Sequence, residues 1–387
     1  MIYLDYSANT PVDPAVLATF CDTERRFPGN PNSHHPLGRA ARAEWERVTA
    51  SVAGLLGAEP EEVIFTSGAS ESNNLALKGI AHASRHVGKH IISTALEHAS
   101  VGGTLSTLQQ QGWEVDLAEI GRNGKIDLER LAELLRGDTV LVSVSAVDSE
   151  LGTIQPIPEI AALLKDYPNC RLHVDATQAA GKTGLVWEGV DTMTLAAHKF
   201  YGLNGSGILL KRRGVGLTPQ IDGGGTLTLY RSGTPALALA ASTEKALSLA
   251  LAGQKDRVEV VRAWNIRLRE VLARFPRARL NSPPEAVPHI LNLSVQGVKG
   301  GEFQRLLGEK DVCVSVKSAC SVEGTPSKAV YAVSRDRKNA LCSWRVSLSH
   351  LTTAAELDRF LEAFAQIYKE TEQAAGDQKP AAPAAAG

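Results

Sequence analysis

Short apolar runs alternate with helical patterns from about residue 60 to residue 215, and this alternation constrains the fold more than any other feature of the chain. The β-rich runs occupy residues 62–66, 90–93, 140–144, 171–174 and 207–210. Buried strands that alternate with helices are typical of an α/β protein with a mainly parallel sheet covered by helices on both faces. Ligands bind such sheets at the carboxyl ends of the strands, so we expect the site there.

A long helical pattern over residues 235–275, in two pieces around Gly253, predicts the connection to a smaller α+β C-terminal part. We expect strands of that part at 289–294, 312–316 and 343–347, and a last helix at about 354–370. The predicted organisation is a large domain over 14–252, a small domain over 1–13 plus 253–370, and a disordered tail over 371–387.

The charge is nearly balanced, with 41 basic and 42 acidic residues, and this balance argues against nucleic-acid or anionic-membrane binding. The first residues lack the pattern of a signal peptide, and no window is apolar for long enough to span a membrane. The five cysteines are odd in number and form no CxxC pair, which favours reduced thiols and predicts neither a disulfide framework nor a metal site. We therefore expect a cytoplasmic enzyme.

Two polar motifs fall at predicted strand ends. Asp175 lies in the motif His173–Gln178, and Lys199 follows it by 24 residues in Ala197-His198-Lys199. Such an acid can keep the pyridine nitrogen of pyridoxal phosphate protonated, and the lysine amine can form a Schiff base with its aldehyde. The alternative for Asp175 is a helix cap, but a carboxylate in a strand crevice calls for a cationic partner. The pair predicts a pyridoxal-phosphate enzyme.

The segment 66–74 follows a strand and opens a helix, so Ala69 and Ser70 are candidates for binding the cofactor phosphate. The alternative is a capped helix with Ser70 as its N-cap, and the downstream Lys199 motif favours phosphate binding. His98 is expected to end the strand that starts at His90, where its ring can stack on the pyridine and move protons, although a lone histidine is more often structural. Gln178 is a candidate donor to the phenolate oxygen.

Taken together, these elements resemble the cysteine desulfurases, which are fold type I pyridoxal-phosphate enzymes related to the class V aminotransferases. The resemblance covers nearly the whole chain except 371–387, and its motifs are Leu4–Ala8, Gly29–Pro31, Thr66–Asn74, Glu97-His98, His173–Gln178, His198-Lys199, Arg231–Thr234, Ser318–Cys320 and Arg345–Ser347.

The resemblance implies a role for each matching residue. Lys199 would be the Schiff-base lysine, Asp175 would face the pyridinium, Gln178 the phenolate, and His98 would stack on the ring. Ser70 and His198 would bind the phosphate, with Thr234 reaching across from the partner subunit of a homodimer. The substrate carboxylate would be held by Asn30 and, through a bidentate hydrogen bond, by Arg345.

Cys320 would be the second catalytic centre, with a thiolate that takes the substrate sulfur as a persulfide and passes it to an acceptor. Residues 317–326 are polar and bounded by Gly and Pro, as suits a mobile loop. The alternative for Cys320 is a buried structural cysteine, which describes most free cysteines.

The chain departs from the family pattern around the expected pocket. Asp148 and Ser149 replace two asparagines, and Ser149 takes the position that normally helps to bind the substrate carboxylate and the cofactor. Ala196 lacks a phosphate-binding hydroxyl, Thr226 lies where the family carries other polar residues, and Lys317 replaces a glycine three residues before Cys320.

The leading hypothesis is a cysteine desulfurase that converts L-cysteine to L-alanine and hands the sulfur to an unidentified acceptor protein. One alternative is a class V lyase or aminotransferase that acts on a different amino acid with the same Lys199 and Asp175. Another is a non-catalytic sulfur-trafficking scaffold, against which the intact Lys199 argues.

Overall fold

A computed structural model describes residues 1–224, 227, 229–317 and 324–377, and within these residues the chain forms twelve strands and twelve α-helices. The strands are β1 (Ile2–Tyr3), β2 (Val63–Thr66), β3 (His90–Thr94), β4 (Glu114–Ala118), β5 (Thr139–Ser145), β6 (Arg171–Asp175), β7 (Thr192–Ala196), β8 (Gly207–Lys211), β9 (Ala278–Leu280), β10 (Ile290–Val295), β11 (Val312–Cys313) and β12 (Ser343–Ser347). The helices are α1 (Pro14–Arg26), α2 (Pro36–Leu56), α3 (Ala69–Ser84), α4 (Ala99–Gln110), α5 (Leu128–Leu134), α6 (Ile157–Leu163), α7 (Leu237–Ala252), α8 (Gln254–Leu272), α9 (Gly300–Gly308), α10 (Lys328–Ser334), α11 (Arg337–Leu341) and α12 (Ala354–Asp377).

Seven strands form one sheet in the order β2-β8-β7-β6-β5-β3-β4. Neighbouring strands are parallel except at β8, which runs antiparallel to both β2 and β7, so the predicted mainly parallel sheet is confirmed. The residues of β5, β7 and β8 are buried throughout, as expected for strands covered by helices on both faces. The sequence does not predict the edge strand β4, because its exposed Glu114 and Leu117 interrupt the apolar pattern.

The remaining strands form two smaller sheets, separate from the seven-stranded sheet. There β10 lies antiparallel between β9 and β12, and β1 pairs in parallel with β11. Ile2 and Leu4 join a buried cluster with residues of α8, α9 and α12, in which Phe303 stacks on Trp344 at 5.0 Å. The N-terminal segment is therefore held by the C-terminal part of the chain. The residues that follow this segment lead directly into the functional site.

Several boundaries differ from the sequence predictions. The two helices α7 and α8 meet at Gly253 as expected. The last helix, α12, continues to Asp377, seven residues beyond the expected end, because Glu, Gln and Ala in that stretch are good helix formers; the remaining expected tail, 378–387, lies outside the described residues. The strand expected over 312–316 is short, since the chain leaves β1 after Cys313 and Ser315 then pairs with Arg345.

None of the helices in the described ranges combines the length and the apolar content that crossing a membrane requires.

Candidate functional site

A cavity of about 390 Å³ lies at the carboxyl ends of β5, β6 and β7, beside the start of α3. Nine of the twelve predicted site residues line it: Ala69, Ser70, His98, Ser149, Asp175, Gln178, His198, Lys199 and Arg345. The strand topology explains this convergence, because parallel neighbouring strands present their carboxyl ends at one edge of the sheet.

The start of α3 forms one end of the cavity. Gly68 has a φ of 143°, which turns the chain from β2 into the helix, and Ser67, Gly68, Ala69 and Ser70 line the cavity. A helix N-terminus presents N–H groups without intrahelical partners and attracts anions. Gly68 is the residue that precedes the helix, so the alternative in which Ser70 acts as the N-cap is wrong.

Close packing of strand β8 supports this turn. A Cβ atom added to Gly207 would lie 2.7 Å from the Cα atom of Gly68 and 2.9 Å from the carbonyl oxygen of Leu195. Only glycine allows such an approach, because both neighbours are backbone atoms that cannot move aside like a flexible side chain. The geometry of the anion cradle therefore depends on β8 as well as on α3.

The carboxylate of Asp175 lies at the end of β6 and is buried. Its Oδ2 accepts a hydrogen bond from Nδ2 of Asn73 at 2.8 Å, and its Oδ1 accepts one from the backbone N–H of Thr177 at 3.0 Å. Nearby, the side chain of Glu97 is held by Ser145, and burial, with the charge of Asp175 adding to it, raises the pKa of Glu97 to about 7. The direction of the Asp175 carboxylate in the cavity is thus fixed by two hydrogen bonds.

His98 does not end a strand, because β3 stops at Thr94; it is instead the N-cap of α4. Its Nδ1 accepts a hydrogen bond from the backbone N–H of Ser100 at 3.1 Å and lies 2.9 Å from the Ser100 hydroxyl. Burial lowers the pKa of His98, and the cation of Lys199 lowers it further, whereas Asp175 opposes both effects. The ring therefore enters the cavity in its neutral form at pH 7.

Lys199 ends the 3-10 turn Ala197–Lys199 that follows β7, so the predicted strand-to-loop position of this lysine is where the structure places it. Its Nζ donates hydrogen bonds to the backbone carbonyl oxygens of Ser7 at 2.8 Å and Ala8 at 2.7 Å. The preceding His198 has its pKa lowered to about 4 by burial and by the neighbouring cations Lys199 and Lys182. At neutral pH His198 therefore offers an uncharged ring.

The amide of Gln178 is held on both sides. Its Nε2 donates to the carbonyl oxygen of Ser7 at 2.9 Å, and its Oε1 accepts from Nζ of Lys182 at 2.6 Å. An amide nitrogen has two protons, so one N–H of Gln178 remains for a ligand in the cavity.

Arg345 on β12 supplies the cationic side of the cavity, and its side chain is only 3 % exposed. Its Nη1 donates to the carbonyl oxygen of Ser149 at 2.7 Å, and its Nη2 donates to Oδ1 of Asp5 at 2.9 Å. Among the described residues Nε of Arg345 has no hydrogen-bond partner. The guanidinium is thus positioned by two contacts while part of its donor edge is left for an anionic group.

Asp148 is buried, and it is not among the residues that line the cavity. Its Oδ1 accepts the backbone N–H groups of Glu150 at 3.1 Å and Leu151 at 2.5 Å, which closes the turn after β5. Burial, followed by the charge of Glu150, raises the pKa of Asp148 to about 7. The departure from asparagine at 148 therefore changes the turn beneath the pocket, whereas the departure at Ser149 changes its wall.

Two of the described site residues, Asn30 and Thr234, do not line the cavity in this single chain. Asn30 is exposed in the loop between α1 and α2, where its Oδ1 accepts the N–H of Asn32, and Thr234 is also exposed. Cys320 lies outside the described residues, as do Thr226 and the segment 318–323. Lys317, at the edge of that segment, donates to the hydroxyl of Thr325 at 2.7 Å.

The residues present fit pyridoxal phosphate. An anion cradle, a primary amine and a carboxylate surround one cavity, in the arrangement that a phosphate, an aldehyde and a pyridine nitrogen require. Thr177 lines the same cavity, and its buried hydroxyl has no partner among the described residues, so a bound polar group would satisfy it.

Three residues that orient the site, Ser7, Asn73 and Lys182, were not predicted from the sequence. Ser7 lies in the motif Leu4–Ala8 and Asn73 in Thr66–Asn74, so the motifs marked both positions without showing what they contact. Lys182 carries no local signal, because its contact with Gln178 forms only when the turn after β6 has folded.

Comparisons with known proteins agree with this geometry. The family model for class-V aminotransferases matches residues 2–360. The chain is 39% identical over 377 residues to a NifS/IcsS protein homolog of Lactobacillus delbrueckii subsp. bulgaricus, covering 95% of this chain and 97% of that one.

It is also 39% identical over 367 residues to cysteine desulfurase IscS of Azotobacter vinelandii, covering 92% and 90% of the two chains. A solved structure of a NifS-like protein superposes with a TM-score of 0.90 at 32% identity and covers 95% of this chain and 99% of its own. The chain therefore belongs to the class-V aminotransferase family, among its pyridoxal-phosphate-dependent cysteine desulfurases.

Proposed function

We propose that this protein transfers the sulfur atom of L-cysteine to the thiol of Cys320, so that L-cysteine and the thiol give L-alanine and a persulfide on the enzyme. The sulfur then passes to an acceptor, which we propose to be a protein. In this reaction the carbon–sulfur bond of the substrate breaks, a sulfur–sulfur bond forms, and the thiol proton is delivered to the alanine product.

The chain's own residues divide the work of holding the cofactor. When bound, pyridoxal phosphate supplies an aldehyde for amines and a ring that accepts electrons. Asp175 holds a proton at the ring nitrogen, since its carboxylate is fixed by Asn73 and Thr177. The first residues of α3, including Ala69 and Ser70, with neutral His198, bind the phosphate.

Lys199 provides the amine, and the carbonyl groups of Ser7 and Ala8 direct its Nζ. His98 covers the ring and exchanges protons there, while Gln178 offers its remaining N–H to the phenolate oxygen.

Arg345 binds the carboxylate of the amino-acid substrate. Its guanidinium is buried and held by Asp5 and the Ser149 carbonyl, so it is pre-oriented and loses little freedom when a second carboxylate arrives. Ser149 lines the cavity beside Arg345. We propose Asn30 as a further contact to this carboxylate, made when the exposed loop that carries it closes over the substrate.

The small domain proposed over 1–13 plus 253–370 carries the Cys320 loop. We further propose a cytoplasmic homodimer in which Thr234 of one subunit completes the phosphate site of the other, consistent with the exposure of this residue in the single chain.

One observation carries the proposal: the amine of Lys199, the carboxylate of Asp175 and the guanidinium of Arg345 face a single cavity in a chain that also has a cysteine in the desulfurase position. A pyridoxal-phosphate site needs the first two groups, binding of an amino-acid carboxylate needs the third, and sulfur transfer needs the cysteine.

The test measures alanine and sulfide released from L-cysteine with a reductant present, comparing the wild type with Lys199→Ala and Cys320→Ala. Cys342→Ala serves as a matched control, because Cys342 is a free thiol distant in sequence from the loop. We expect equal amounts of both products from the wild type and the control, and neither product from the two other variants.

The alternative of a lyase or aminotransferase with another amino-acid substrate predicts a different result. In that case Cys320→Ala retains most of its activity, and a screen of amino acids finds the substrate. A purified protein that shows no absorption band of bound cofactor after pyridoxal phosphate is added would instead support a non-catalytic scaffold.

A further inference from the structure

Asn73 connects the two sides of the cofactor cavity, although it does not itself line that cavity. It lies on α3 with no solvent exposure, in a helix interior where asparagine is an unfavourable residue. Its Nδ2 donates to Oδ2 of Asp175 at 2.8 Å and to Oγ of Ser100 at 2.9 Å. Its Oδ1 lies 3.1 Å from Nε2 of His173. A buried amide with partners on both of its polar atoms calls for an explanation beyond helix formation.

The direction of each hydrogen bond follows from the chemistry of the groups. A carboxylate only accepts, so the amide nitrogen of Asn73 must face Asp175 and its oxygen must face His173. His173 then carries its proton on Nε2, and its Nδ1 accepts from the hydroxyl of Thr192 at 2.9 Å. Burial lowers the pKa of His173 to about 4, which keeps this ring neutral and the assignment unchanged at pH 7.

The second arm of the network reaches His98. The Ser100 oxygen accepts from Asn73, so the Ser100 proton is available for Nδ1 of His98 at 2.9 Å. The backbone N–H of Ser100 points at the same nitrogen at 3.1 Å. Two donors at Nδ1 leave Nε2 as the nitrogen that carries the proton of the neutral ring. The charged groups that face His98 are Asp175 of β6 and Lys199 after β7.

We propose that Asn73 is a positioning residue of the cofactor site, which aligns the carboxylate of Asp175 and, through Ser100, the ring of His98 as one hydrogen-bonded unit. The inference rests on the proposed function, because Asp175 and His98 matter only if the cavity holds the cofactor. Asn73, although it lies outside the cavity, thereby orients both Asp175 at the ring nitrogen and His98 over the ring face.

The test combines two measurements on Asn73→Ala and Ser100→Ala. The first follows the ring nitrogens of His98 by NMR in ¹⁵N-histidine-labelled protein without cofactor, across a pH titration, with the signals assigned from His98→Gln. The second measures the dissociation constant of pyridoxal phosphate by titrating its visible absorption. Asn74→Ala is the matched control, since Asn74 is the next residue of α3 and its side chain, within the described part of the chain, bonds to the carbonyl oxygen of Ser70 alone.

We expect Asn73→Ala to raise the pKa of His98 toward its ordinary value, because the Ser100 hydroxyl at Nδ1 loses the hydrogen bond from Asn73 that directs its proton there. The same variant should weaken cofactor binding about tenfold through Asp175. Ser100→Ala is expected to raise the pKa of His98 and to keep the cofactor dissociation constant within about twofold of the wild type, because the bond from Asn73 to Asp175 remains. Asn74→Ala is expected to change neither quantity.

The proposal is overturned if Asn73→Ala changes only one of the two readouts, or if Ser100→Ala leaves the His98 titration unchanged. Melting curves of the cofactor-free variants show whether each has folded, and Ser100→Ala decides the matter if Asn73→Ala does not fold. Neither readout depends on turnover of L-cysteine. A protein that shows the expected shifts but releases no alanine would therefore contradict the proposed function and leave this inference in place.

Discussion

The ammonium group of Lys182 donates a hydrogen bond to Oε1 of Gln178 across 2.6 Å, and Lys182 is itself only 8 % exposed. In its ammonium form Lys182 can only donate, so this contact determines which end of the Gln178 amide is the oxygen. The Nε2 end must then face Ser7 and the cavity. A buried cation that contributes no group to the cavity therefore fixes the orientation of a residue that does.

Replacing Lys182 with methionine is expected to weaken binding of pyridoxal phosphate about three- to tenfold, because the Gln178 amide is then free to turn over. Titration of the cofactor absorption measures this loss. Lys165→Met, which changes an exposed lysine, is the control and should bind like the wild type. Unchanged affinity in Lys182→Met would show that Ser7 alone orients the amide.

The same substitution has a separate effect on stability. Burial lowers the pKa of Lys182 from 10.5 to about 7, so the unfolded chain binds the proton more tightly between these values. The free energy of unfolding of the wild type should consequently rise from pH 7 toward pH 10, and Lys182→Met should lack this part of the slope. At pH 7 the variant is expected to be more stable by roughly 1–4 kcal/mol, measured by urea unfolding of the cofactor-free protein at several pH values.

The carboxyl group of Asp148 should make the free energy of unfolding fall with increasing pH, opposite to the effect of Lys182, and Asp148→Asn tests this. Burial raises the pKa of Asp148 from 3.8 to about 7, so its contribution to stability is complete below pH 4 and is lost as the pH rises to 7. Asparagine keeps the oxygen that accepts from Glu150 and Leu151 but does not ionise. The variant is expected to match the wild type near pH 4 and to exceed it by roughly 1–3 kcal/mol at pH 8. Equal unfolding free energies at both pH values would contradict this, and the exposed Asp166→Asn controls for net charge.

Gly207→Ala is expected to disturb the phosphate cradle. Its new Cβ would lie 2.7 Å from Cα of Gly68, so β8 must move away from the turn before α3. We expect a loss of roughly 1–3 kcal/mol in the free energy of unfolding together with at least tenfold weaker cofactor binding. Gly214→Ala is the control, since a Cβ there would meet no atom within 4 Å. Wild-type affinity in Gly207→Ala would mean that the cradle does not depend on this contact.

Asp5→Asn tests how Arg345 is prepared for the substrate. The Asp5 carboxylate accepts from Nη2 of Arg345 at 2.9 Å and from the hydroxyl of Ser315 at 2.8 Å. With an amide in its place the buried guanidinium loses its ion pair, and we expect KM for L-cysteine to rise about tenfold with little change in cofactor absorption. Steady-state kinetics of alanine release measures this, and Asp22→Asn, in an exposed pair with Arg25, is the control. A fall in kcat at constant KM would place Asp5 in a different role.

Local sequence patterns were sufficient to predict the alternating strands and helices of the fold. The alternation of buried strands and helices predicted the mainly parallel sheet, and Gly253 predicted the division between α7 and α8. Edge strand β4 and the end of α12 were less predictable, because partial exposure weakens the apolar pattern of one and good helix formers extend the other.

The sequence by itself determined which chemical groups the site contains. Asp175, Lys199, His98 and Arg345 lie in motifs whose residue types and order are specific enough to indicate a pyridoxal-phosphate enzyme of the desulfurase family. Only the tertiary structure decided how those groups are oriented. The contacts that orient them join residues far apart in the chain, such as Asn73 with Asp175 and Asp5 with Arg345, and distances of this kind exist only once the sheet has brought its strand ends together.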